Sequence, residues 1–217
     1  MDMEPGNATV HYWYGFGHLV PLGRFDEGIA EMKRALELAP LSLVISSNLG
    51  EALMQRDLFR GGSYDEGFEQ CRKALELDSN FFHAQACLGA AYRRKGMYEE
   101  AVTWFSRCAA AGDDECVRHL AVTYASAGKR TEAVKLLDRM KELYSKHPVE
   151  AYNLWVLNAA LGNRDQAFAW LERSYEQREE TLLWIRLCTV DPACKPLSSD
   201  PRFKDVLRRM NFPPSQP

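Results

Sequence analysis

No apolar run in this 217-residue chain approaches the roughly 18–20 residues that cross a bilayer. Its first residues, MDMEPGNATV, are acidic and polar and lack the basic-then-apolar order of a secretory leader. Strong charge of either sign is missing too. The net charge of −3 and pI near 6.0 argue against nucleic acid or an anionic membrane as a partner. There is no C-x-x-C; six cysteines (71, 87, 108, 116, 188, 194) stand at irregular spacings in a chain too long for a small disulfide scaffold. Reduced thiols in a cytoplasmic protein are therefore expected, and the sequon Asn7-Ala8-Thr9 is read as chance. Phosphate-cradling, nucleophile-elbow, zincin and dinucleotide motifs are all missing, so the chain is expected to be non-catalytic and to carry no cofactor.

What the chain does have is repetition. KGMYEEAV (95–102) has relatives in LGRFDEGI (22–29), GGSYDEGF (61–68), AGKRTEAV (127–134) and LGNRDQAF (161–168). The second-place glycines, Gly23, Gly62, Gly96, Gly128 and Gly162, are separated by 39, 34, 32 and 34 residues. The small residues in seventh place, Gly28, Gly67, Ala101, Ala133 and Ala167, give the same separations. Two markers drifting together indicate true repeats with one insertion and one deletion. Glycine suits the end of a first helix, an acid or amide the start of a second, and a small residue the close approach of the pair. Ser63-Tyr64-Asp65-Glu66 also fits a capping box.

The third repeat, with Leu88-Gly89-x-x-Tyr92, then Gly96, Tyr98 and Ala101-x-x-x-Phe105, resembles the tetratricopeptide (TPR) pattern L-G-x-x-Y … A-x-x-x-F. That resemblance implies an all-α fold: a right-handed α-solenoid of five TPR helix–turn–helix repeats, at about 9–40, 41–80, 81–113, 114–147 and 148–178. Capping helices and a tail are expected over 179–217. The five extra residues of the second repeat fall in DLFRGG (57–62) and are expected to form a loop, with Leu58 and Phe59 either folded back or exposed as a contact patch. TLLWIRLC (181–188) reads as a further helix, and both Asp191-Pro192 and Asp200-Pro201 read as an N-cap followed by a first-turn proline. In SDPRFKDVLRRM, Phe203, Val206, Leu207 and Met210 make an apolar stripe for a terminal cap, which a solenoid needs to cover its last apolar face. HYWYG near the start and DPACKPLSSDPRFKDVLRRM near the end are similar to C-terminal TPR arrays of large multidomain bacterial regulatory proteins. The chain is accordingly expected to be a stand-alone array or part of a longer protein.

One constellation could bind metal: His83 and Cys87 on one first helix, Cys116 and His119 on the next. The roughly 8–10 Å between packed helix axes weighs against it, and no metal is assigned. Cys71 and Cys108 occupy the pattern's core positions and are read as packing residues. The resemblance implies instead a groove lined by first helices that binds a protein or peptide segment. Its lining is expected from Trp13, Tyr14, Asn48, Glu51, His83, Arg93, Arg94, Arg118, His119, Val149, Tyr152 and Asn153. Basic residues at its centre between aromatic ends favour an acidic segment with apolar anchors. One TPR subclass clamps a chaperone's C-terminal carboxylate with Lys, Asn and Arg; here those places hold Trp13, Gly17, Asn48, His83 and Cys87, so only the Asn matches. Two alternatives remain: a sensor or enzyme accessory binding a small ligand or metal near His83, Cys87 and His119, and a homo-oligomer assembled through the N-terminal face.

Overall fold

The structure, a computed structural model, describes residues 6–110, 112–146 and 150–212; Val149 and the repeat boundary at 147/148 lie outside them. The chain is an all-α solenoid of stacked helix pairs, with no strand among the described residues. It divides into two compact bodies, one running to Met97 and the other spanning Tyr98–Phe212.

In the N-terminal body, Asn7 caps α1 (Ala8–Tyr12) by accepting from the Thr9 and Val10 amides at 3.0 and 3.3 Å, so the sequon residue has a structural task. The helix continues as a π-helical segment, Trp13–Leu19, followed by α2 (Phe25–Leu38), α3 (Leu43–Arg60), α4 (Asp65–Leu77) and α5 (Phe82–Arg94). The first helices of repeats one and two pack on their own second helices, and α3 also packs on α5. The seventh-place glycines allow backbone-to-backbone contact: a Cβ on Gly67 would stand 2.6 Å from the Gly50 carbonyl and 2.5 Å from Met54 Cγ. That is too close for any side chain, and the later repeats use Ala101, Ala133 and Ala167, all fully buried, at the same place.

The second repeat departs from expectation. Residues 57–60 are not a loop but the last turn of α3, which runs 18 residues where α5 and α7 run 13. Phe59 packs its ring 5.1 Å from Phe25, and Arg60 forms two hydrogen bonds to Asp26 at 3.0 and 2.9 Å. Asp57 is buried and accepts the Tyr64 amide at 3.1 Å. The extra residues therefore lengthen a helix along α2. The left-handed residue that closes it is Gly61 (φ 78°), not Gly62. The capping box is not formed either: Tyr64, itself left-handed, is the N-cap of α4 and makes no side-chain cap bond.

The C-terminal body comprises α6 (Tyr98–Ala110), α7 (Asp114–Ser126), α8 (Arg130–Lys146), α9 (Ala151–Ala160), α10 (Arg164–Glu176) and α11 (Pro201–Arg209). Asp113 caps α7 through the Cys116 amide at 2.7 Å. The core is built on Trp155, Leu154, Leu157 and Leu171, closed by Ile185 and Phe203, all fully buried. Glu180–Thr189 is a 3-10 helix rather than an α-helix, and Asp191-Pro192 opens a turn, with Asp191 accepting the Ala193 amide at 3.0 Å. Asp200-Pro201 does start α11, whose Phe203 and Val206 are buried while Leu207 and Met210 are half-buried against the core.

The cysteines also differ from expectation. All six are paired: Cys71–Cys87 joins α4 to α5, Cys108–Cys116 joins α6 to α7, and Cys188–Cys194 ties the 3-10 helix to the turn after it. The Cα separations of 5.8, 5.8 and 4.9 Å suit disulfides. The first two sit where one repeat's second helix meets the next repeat's first. Repeat spacing carries Cys71 and Cys87 onto Phe105 and His119, whose rings stack at 5.1 Å. It carries Ala74 and Ala84 onto Cys108 and Cys116. These are two neighbouring layers of one junction, filled by a disulfide in one repeat and by ordinary packing in the other.

Candidate partner-binding face

A first helix has one side against its second helix and another turned away from it. In the N-terminal body Gly15 abuts α2, since a Cβ there would stand 2.6 Å from the Gly28 carbonyl. Trp13, two residues earlier, lies roughly half a turn around and so faces away from α2. It is 60% exposed. Its neighbour Tyr12 is buried, stacks on Phe16 and holds the Asn48 amide through its hydroxyl at 2.7 Å, joining the first helices of repeats one and two. Sequence reasoning missed Tyr12, because nothing in HYWYG distinguishes the ring that packs from the ring that projects.

The remaining predicted positions of this body are unequal. Tyr14 stacks on His18 at 5.7 Å. Glu51 accepts from Gln55 at 3.0 Å. His83 is exposed beside the Phe81 and Phe82 rings, and Arg93 and Arg94 are half-buried in the last turn of α5.

In the C-terminal body, Arg118 donates to Glu115 at 2.8 Å and lies 2.9 Å from His119 Nε2, which is itself 3.5 Å from Glu115. The positive charge expected at Arg118 is thus met locally by an acid. Tyr152 and Asn153 are both buried, and burial holds the Tyr152 phenol well above its ordinary range. They are core residues rather than an open lining. Glu150, also missed from sequence, has its carboxyl raised by burial first and by neighbouring Glu179 second. Glu179 itself reaches back 28 residues to accept the Ala151 amide at 2.6 Å, and it takes the Tyr152 amide at 2.9 Å. It therefore caps α9, not the segment that follows it.

The metal constellation does not assemble. Cys87 is bonded to Cys71, Cys116 is bonded to Cys108, and among the described residues no three metal-ligating side chains converge.

No protein-family model and no curated protein matches this chain. Solved structures do. A thermophilic TPR protein of Thermus thermophilus is 20% identical over 84% of this chain and 98% of its own, with a TM-score of 0.62. The pilF protein of Pseudomonas aeruginosa is 18% identical over 96% of this chain and 93% of its own, at 0.53. A chain in the structure of Naa15/Naa10 bound to HypK is 14% identical over 94% of this chain and 34% of its own, at 0.51. At these identities the likeness establishes the fold, which is that of TPR proteins.

Proposed function

We propose that this chain is a non-catalytic protein-interaction module that binds a partner segment along the exposed side of its first helices. The observation that carries this reading is Trp13, a large aromatic 60% exposed on the side of its helix turned away from α2. Exposed Trp is a costly surface residue and a frequent interface anchor. The partner segment has an apolar anchor for Trp13 and acidic residues for the guanidinium groups of Arg93 and Arg94 in the last turn of α5. The C-terminal arrays of bacterial regulatory proteins remain the resemblance that best fits the tail. The three disulfides favour an oxidising compartment over the cytoplasmic placement expected from sequence.

The test is capture from the native organism with wild-type protein and with Trp13→Ala, whose exposed side chain can be truncated without disturbing the core. The partner is expected to be retained by wild type, released by added salt and lost from the variant. Equal capture by both proteins refutes the reading.

A further inference from the structure

Where α10 ends, the C-terminal body carries a cavity of about 530 Å³, within the size range of small-ligand and side-chain pockets. Tyr175, Leu182, Leu183 and Met210 give it an apolar floor, and Glu176 and Glu180 stand at its rim. Leu183 is 42% exposed, the only large apolar side chain in this body found so exposed among the described residues. A single exposed leucine on a convex surface needs no explanation. One that lines a concavity is different, because a partner can cover it from several sides at once.

Charge gives the partner's chemistry. Three carboxylates and one guanidinium, Arg178, line the cavity. Glu179 is occupied, since it accepts from the Ala151 and Tyr152 amides and, at 2.6 Å, from the Ser174 hydroxyl. Glu176 and Glu180 are exposed and have no ion-pair partner among the described residues. Beyond the lining, Arg209 pairs with Glu172 and Asp205 and covers the Tyr175 ring, while Arg173 lies over Trp170 and Tyr144; Arg178, in the lining, offsets one carboxylate, and the cavity stays net acidic. The rim is also held in shape. Arg178 adopts a left-handed conformation (φ 54°), its amide bonding the Tyr175 carbonyl at 3.1 Å while the Glu179 amide bonds that of Ser174 at 3.2 Å. This closing turn carries Glu176 two residues before Arg178 and Glu180 two residues after it, and all three line the cavity.

We propose that this cavity is a second docking site, one that takes an aliphatic side chain of a partner segment with a lysine or arginine beside it. The aliphatic group covers Leu183 and Met210, and the cation lies between Glu176 and Glu180. The site shares no residue with the Trp13 surface and calls for a partner of opposite charge, so neither proposal depends on the other.

The test uses the full chain, methyl-labelled for NMR, and two blocked hexapeptides as probes. One has a leucine flanked by two lysines; the other has the same leucine flanked by two glutamates. The lysine peptide is expected to shift the Leu182, Leu183 and Met210 methyl signals saturably, and the glutamate peptide to leave them unmoved. Glu176→Gln with Glu180→Gln, both at exposed positions, should weaken binding at least fivefold, and Leu183→Ser should abolish it. Equal binding of both peptides, shifts confined to other residues, or no shift at millimolar peptide overturns the proposal. So does a concentration-dependent dimer lost in Leu183→Ser, which would give the cavity to a second copy of the chain.

Discussion

Replacing Cys108 and Cys116 together by alanine isolates the contribution of a single cross-link. In most buried pairs such a change confounds the lost bond with lost packing. Here the preceding repeat has already made the replacement: its corresponding residues are Ala74 and Ala84, both fully buried. The helix junction therefore tolerates alanine in this layer, and what remains is the loop constraint. The bond closes a separation of 8 residues, for which the chain-entropy relation gives about 2.5 kcal/mol at 25 °C. The same relation gives about 3 kcal/mol for the 16-residue separation of Cys71–Cys87 and about 2 kcal/mol for the 6 residues of Cys188–Cys194. In a protein of this size 2.5 kcal/mol lowers Tm by about 5–10 °C. Circular dichroism on the variant should find that drop. Reduction of wild type, which breaks all three bonds, should lower Tm further and bring the variant and wild type together. Maleimide labelling in denaturant without reductant should add nothing to the wild-type mass. Six labels on the unreduced protein, or a Tm unchanged by reductant, would refute the reasoning and restore the thiols expected from sequence.

Two further outcomes follow from particular contacts. Deleting residues 58–62 should destabilise the N-terminal body, because it removes the Phe25–Phe59 contact and the Arg60–Asp26 pair; an unchanged melting curve would return this stretch to the status of a loop. Asp200→Asn should lower Tm at neutral pH. The Arg202 side chain, joined by the Arg202 amide and Arg164, holds the Asp200 carboxyl well below its ordinary range. A depressed carboxyl stabilises the fold above its unfolded pKa of about 3.9 and loses that contribution as pH falls through the folded value. The gap between variant and wild type should therefore close below about pH 4, and a gap constant from pH 7 to pH 2 would sink the assignment.

The helix pairs, their small-residue crossings and the stripe of α11 were legible in the chain, because each rests on local spacing. A small residue recurs five places after a glycine, and an apolar residue every three or four, whatever surrounds them. Where the structure departs from the sequence reading, the cause is a neighbour distant in sequence. Residues 57–60 read as an inserted loop because the repeat period marks only that they are extra; that they extend α3 follows from Phe25 and Asp26, over thirty residues away, offering a ring and a carboxylate. Glu179 directly precedes the 3-10 helix in sequence, yet its oxygens accept the first amides of α9, 27 and 28 residues back. Cys71 and Cys108 stand in the core, as their places in the repeat pattern imply, and only the stacking of one repeat on the next brings their sulfurs to Cys87 and Cys116. Periodicity determines which side of a helix is buried. What that side meets, and so which charges, thiols and cavities remain for a partner, is decided by distances across the stack that no local spacing encodes.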